Sequence, residues 1–334
     1  MWTLGLVGWL FGCTATKTTT APPIEAPAPA AETTPADAGS TGIDTRRPFP
    51  ALTRGISYGP FREGQAPGGP SPTAAQLLED LQILDPEWEM IRVYASTGPT
   101  EAILRTVRDE GIGLKVMVGA WIDPDDEEAN AEQVSELIRL ANAYPGVVHA
   151  VSVGNESQVD WSAHRSPRDK LIGYLREVRG AVEQPVTTAD DYNFWNKPEA
   201  QEVAAEVDFL LLHAYAMWNQ QSLQDAVAWT DATVTSIRGF HPELPLVIGE
   251  TGWATELNPE GHEVQYIKAP AGEAEQKQFF EAFSAWAEEK EVPHFYFEAF
   301  DEPWKGSDDP REVEKHWGIY HVDRTPKAAA AELP

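Results

Sequence analysis

This chain of 334 residues has a single cysteine, Cys13, so no disulfide can form within it. Positive charge is also scarce: 25 lysines and arginines stand against 53 aspartates and glutamates, a formal net charge of −28. Nucleic acid and anionic membrane surfaces would be repelled by that charge, and neither is expected as a partner. A neutral polymer such as a polysaccharide would not be repelled. The eight histidines fall in no H-E-x-x-H or cysteine-rich spacing, so no protein-bound catalytic metal is expected. The glycine-rich dinucleotide fingerprint is missing after the first apolar strand, where Gly59-Pro60-Phe61 stands, and no cofactor is expected.

A hydrophobic content of 42% is enough for one large core or two small ones. Twelve tryptophans offer flat apolar rings that serve either core packing or stacking on sugar faces. At the N-terminus, Leu10-Phe11-Gly12-Cys13 resembles a bacterial lipoprotein signal, with leucine three residues before the cysteine and a small residue directly before it. The apolar stretch is short and no Lys or Arg precedes it, so a plain apolar terminus stands as the alternative. Residues 1–13 read as this signal and residues 14–50 as a Thr/Ala/Pro-rich tether that cannot bury enough surface to offset its ordering entropy. Residues 51–334 read as the folded domain. Lipid on Cys13 would be the one membrane contact of an exported, monomeric envelope protein; without it the protein would be secreted.

From Arg54 onward, apolar strand-like runs alternate with helix-like segments. The runs are Gly55–Gly59, Met90–Tyr94, Leu114–Val118, Val147–Val153, Pro185–Ala189, Phe209–His213, Leu246–Gly249 and His294–Phe300. The helical segments are Thr73–Leu84, Thr100–Asp109, Glu127–Ala143, Pro167–Val182, Pro198–Ala205, Leu223–Arg238 and Gly272–Glu289. Several runs are apolar throughout, as in parallel strands covered on both faces. Eight such repeats in about 280 residues predict a (β/α)₈ barrel behind a disordered tether, with a doubly wound sheet as the alternative.

Two segments carry the chemistry: Val153-Gly154-Asn155-Glu156 and Ile248-Gly249-Glu250-Thr251-Gly252-Trp253. Each places a lone glutamate where a buried strand opens into a loop. In a barrel both would face one bowl at the C-terminal strand ends. Two such carboxylates suit glycosidic bond cleavage, one as proton donor and one as nucleophile. Ala150–Gly154 has the outline of a nucleophile elbow, but Ser152 lies inside a continuing strand, and the elbow needs a turn there.

These motifs, with Tyr296–Lys305 and Glu314–Tyr320, resemble glycoside hydrolase family 17, the β-1,3-glucanases, over roughly Gly55 to Lys327. The resemblance implies a retaining mechanism on β-1,3-glucan, with Glu250 attacking the anomeric carbon and Glu156 protonating the leaving oxygen. Asn155 would bond the sugar 2-hydroxyl and Tyr215 would donate to Glu250. Glu302, Lys305 and Glu314 match charged residues around the acid, and Glu298 is a further candidate sugar contact. Tyr58, Tyr94 and Trp253 would be glucose platforms, with Trp121, Trp161, Trp195 and Trp218 as looser candidates. Where the family usually has Pro or Asn after the tryptophan, this chain has Ala254. Cellulases and mannanases usually carry Asn-Glu-Pro at the acid, and Ser157 stands in place of that proline. A β-1,3-glucanosyltransferase and a glucan-binding protein without catalysis are the alternatives.

Overall fold

The computed structural model describes residues 46–331 except 53, together with residue 333. The lipoprotein-like motif ending at Cys13 and the tether as far as residue 45 lie outside the described residues. Eight parallel strands close into a barrel in sequence order. They are β1 (Arg54–Ser57), β2 (Met90–Val93), β3 (Lys115–Ala120), β4 (Val148–Asn155), β5 (Val186–Asp191), β6 (Leu210–His213), β7 (Leu246–Thr251) and β8 (His294–Tyr296). Closure comes from β8 pairing with β1, Gly55 opposite Phe295.

Around it run α1 (Ala74–Leu84), α2 (Thr100–Glu110), α3 (Glu127–Ala143), α4 (Arg168–Ala181), α5 (Tyr192–Trp195), α6 (Ala200–Ala204), α7 (Ala226–Phe240) and α8 (Glu273–Glu289). The short α5 has no counterpart in the sequence reading. Local chemistry sets several boundaries. Thr73 and Gln76 form a reciprocal capping box at the start of α1. Asp126 caps α3 by accepting from the Ala129 N–H at 2.9 Å, and Glu127 and Glu128 sit favourably at the positive end of its dipole.

The barrel interior is apolar at its lower, N-terminal end. Leu52, Met90, Met117, Ala150, Ala189, Phe209, Leu211, Val247 and Phe295 form one buried cluster there, with Phe49 packed against it. Residues 46–50, read from sequence as the end of the tether, belong instead to this floor. Phe49 lies 4.5 Å from Phe209 between ring centroids, and Arg47 donates to the Gln184 and Arg179 carbonyls. Among the described residues no helix is long and apolar enough to cross a membrane.

Candidate active site

The strands change character towards their C-terminal ends. On β2, Met90 is followed two residues later by Arg92; on β6, Leu211 is followed by His213. Successive inward positions of one strand thus pass from the floor to a polar bowl. β7 delivers Glu250 to that bowl, only 5% exposed. Its Oε1 accepts from Arg92 Nη1 and from the Tyr94 hydroxyl, both at 2.8 Å, and its Oε2 from the Tyr215 hydroxyl at 2.7 Å. Gly252, just past the strand, allows close approach to β8: a Cβ there would stand 2.0 Å from the Phe297 carbonyl oxygen.

β4 delivers Glu156 by a kink. Its pairing with β5 slips between Ser152 and Asn155, Gly154 has φ +79°, and Glu156 itself has φ +49°. A non-glycine residue held in the left-handed region costs about 1–3 kcal/mol, a strain often found at functional sites. The kinked backbone is fixed by the Glu156 N–H donating to the Ala189 carbonyl at 2.9 Å. One oxygen each of Glu156 and Glu250 and one nitrogen of His213 lie within 4.8 Å of one another.

The two carboxyls have opposite ionisation tendencies. Burial and the neighbouring Glu250 charge push Glu156 up to about 8, against the opposing pull of Arg92. Burial also acts to raise Glu250, but nearby positive charge and the two phenol hydrogen bonds prevail and leave it below the usual carboxylate range. That charge is Arg92 at neutral pH, because burial lowers His213 to about 4 and keeps its ring neutral. Glu156, His213 and Glu250 together have a spacing that a cation could bridge, yet the Arg92 guanidinium on Glu250 would repel one.

Asn155 Oδ1 accepts from Arg92 Nη2 at 2.6 Å, which commits the amide oxygen and leaves its NH₂ for a ligand. Lys305 Nζ lies 2.8 Å from Glu298 Oε2 and 2.7 Å from Glu302 Oε2. Burial raises Glu314 to about 7, with Lys305 opposing and Glu156 adding to the rise. The structure thus brings Asn155, Glu156, Tyr94, Tyr215 and Glu250 together, with the lysine cluster beside them.

Other sequence expectations are corrected. Tyr58 is 1% exposed and donates to Asp80 Oδ2 at 3.0 Å, so it cannot be a sugar platform. Trp253 is fully buried, packs on Phe279 and donates to the Pro270 carbonyl. Tyr94 is half-buried, has the Arg92 guanidinium over its ring at 4.4 Å and donates to Glu250, so its hydroxyl serves the carboxylate. Glu298 and Glu302 are 1% and 3% exposed and committed to Lys305, with Glu302 also accepting from Trp304 Nε1, so both serve the lysine. Trp195 is buried as well, whereas Trp161 is 57% exposed.

Neither Arg92 nor His213 was among the site candidates named from sequence. The signal for both was a lone polar residue in an apolar strand run, inside Met90-Ile91-Arg92-Val93 and at the end of Leu210-Leu211-Leu212-His213.

Comparison with known proteins agrees with this geometry. The family model described as BtgE/BtgC glycoside hydrolase domain matches residues 55–318. A glucan 1,3-beta-glucosidase from Arthroderma benhamiae is 30% identical over 296 residues, covering 84% of this chain and 90% of that protein. One from Schizosaccharomyces pombe is 29% identical over 266 residues, covering 75% and 78%. The crystal structure of an endo-laminarinase from Formosa superposes with a TM-score of 0.75 at 25% identity, over 85% of this chain and 88% of that one. An active-site mutant of a Rhizomucor miehei beta-1,3-glucanosyltransferase, in complex with laminaritriose, shares the fold at 24% identity. Its TM-score is 0.68, over 84% of this chain and 97% of that one.

Proposed function

The chain belongs to the BtgE/BtgC glycoside hydrolase domain family, and on that premise we propose that it is a retaining hydrolase of β-1,3-glucan within glycoside hydrolase family 17. Glu250 is the nucleophile and Glu156 the acid and base. The observation that carries the reading is the pair of carboxyls facing one bowl with oxygens within 4.8 Å, one held ionised and the other held protonated. Retaining sites hold their carboxyls about 5–5.5 Å apart, whereas inverting sites leave room for a water between them at about 6.5–9.5 Å. The β-1,3 linkage is supported by the glucan 1,3-beta-glucosidases and the endo-laminarinase to which the chain is similar.

In the first step Glu250 attacks the anomeric carbon while Glu156 gives its proton to the departing oxygen. Ester formation removes the negative charge that had raised the pKa of Glu156. That pKa falls, and the carboxylate can take a proton from the water that releases the sugar. The Asn155 NH₂ is placed to hold a sugar hydroxyl near the reacting carbon, a bond that strengthens in the transition state.

Release of reducing sugar from laminarin by wild type and by Glu250→Ala tests the reading. Release by wild type alone supports it. Products longer than the starting oligosaccharide would show a glucanosyltransferase, and equal, negligible release from both would support a glucan-binding protein. A lipid anchor at Cys13 on an exported monomer completes the proposal, supported by the Leu10–Cys13 pattern and by a site formed within one chain. Cys13→Ser is expected to move the protein from the membrane fraction to the soluble one.

A further inference from the structure

We propose that His213 is a positioning residue: it donates its Nδ1–H to Glu156 Oε1 and thereby keeps the acid's proton on Oε2, the oxygen left for the leaving group. This deepens the function proposed above and rests on it. His213 ends β6 and is fully buried. Its Nδ1 lies 3.0 Å from Glu156 Oε1. Its Nε2 lies 3.3 Å from Arg92 Nη1 and also 3.3 Å from Glu250 Oε1. The charged and titratable groups around the ring are Arg92 from β2, Glu156 after β4, Asp191 from β5 and Glu250 from β7.

A neutral imidazole has one N–H, and its position follows from its neighbours. Arg92 is a permanent donor with no acceptor capacity, so a protonated Nε2 would set two N–H groups against each other. A bare Nε2 instead faces the Arg92 N–H groups without conflict, as a weak third acceptor beside Glu250 Oε1 at 2.8 Å and the Gly249 carbonyl at 3.0 Å, which take the two Nη1 hydrogens. The competing bond, Nε2–H to Glu250 Oε1, is the weaker claim, since that oxygen already takes two donors at 2.8 Å. The hydrogen therefore sits on Nδ1.

The tautomer makes the two oxygens of Glu156 inequivalent. Oε1 accepts from His213 throughout, whether the carboxyl is protonated or ionised, so the proton that leaves and returns occupies Oε2. In the other tautomer Nδ1 would accept the proton of Glu156 and turn the acid inward, away from the glycosidic oxygen. Arg92 thus orders both halves of the site, directly at Glu250 and through the imidazole at Glu156.

The test compares His213→Phe, which keeps a ring without hydrogen bonding, with His213→Asn, whose amide N–H stands near the former Nδ1–H. On laminari-oligosaccharides, His213→Phe is expected to lower kcat/KM about 10²-fold through kcat, the low end of what general acid catalysis contributes. On a dinitrophenyl β-laminarioside, whose leaving group needs no proton, the loss should stay below about tenfold. His213→Asn should recover most of the activity on the oligosaccharide. Equal losses on both substrates, or no recovery with Asn, would overturn the assignment. Nitrogen NMR of histidine-labelled wild type reads the tautomer directly, even where His213→Phe does not fold: hydrogen on Nδ1 is expected, and hydrogen on Nε2 refutes the proposal. A wild type that cleaves no β-1,3-glucan would remove the function proposed above, while the NMR result would still decide the hydrogen bond.

Discussion

The floor and the rim of this barrel are made by the same eight strands from opposite chemistry. At the floor, Met90, Leu211, Val247 and Phe295 pack without a polar atom to satisfy, and Phe49 and Leu52 close them off. At the rim, Arg92, His213 and Glu250 occupy later positions on three of those strands, each buried and each dependent on the others for hydrogen bonds. The floor gains stability from burial; the rim gives some up. Burial that raises Glu156 to about 8 and Asp191 to about 7 means that both resist ionisation in the folded chain. Stability and chemistry are thus separated along each strand, a division this fold permits because its site lies only at the C-terminal face.

Substitutions at the two ends should separate in kind. Glu250→Ala at the rim should reduce kcat of the folded protein at least ~10³-fold, and because it strands the buried Arg92 charge it should also lower the melting temperature. Phe209→Ala at the floor should cost about 3–5 kcal/mol in denaturant unfolding while kcat of the folded fraction is unchanged. A fall in kcat there would break the division. Tyr215→Phe removes one donor from ionised Glu250, and kcat/KM should fall about 10–100-fold, matching a charged hydrogen bond of about 1.5–3 kcal/mol. The lost bond favours the protonated carboxyl, so the acidic limb of the pH profile should move to higher pH.

The smallest effect concerns stability. Glu156 has a folded pKa of about 8 against 4.5 for the free side chain, so its proton favours the fold. That contribution is full below 4.5 and is lost as pH rises through 8. Glu156→Gln should therefore raise the melting temperature at pH 8.5, by roughly 2–4 °C for each kcal/mol relieved, and leave it unchanged at pH 4. A rise of equal size at both values would contradict the buried, proton-holding environment.

The legibility of this site followed the same division. Glu156, Glu250 and Tyr215 could be placed because strand ends in a barrel open into one bowl, and each follows an apolar run. Tyr58 and Trp253 also sit at strand ends, but side-chain direction alternates residue by residue, and a sequence does not reveal which way the last one turns. Tyr58 turned towards Asp80 and Trp253 towards Phe279. Arg92 was hidden by its apolar neighbours, since a charged residue within a strand run signals burial with a partner only once that partner, Glu250 from five strands away, is known. The floor below residue 51 was misread because Arg46–Pro50, with two prolines in five residues, shows no helix or strand pattern; its two anchors, Arg47 and Phe49, act through tertiary contacts.

Labelling with a 2-fluoro β-laminarioside bearing a good leaving group, followed by peptide mapping, tests the paired-carboxylate mechanism most directly. The expected result is a stable glycosyl ester on Glu250 and a first hydrolysis product of β configuration. A label on another residue, or an α-configured first product, would contradict it.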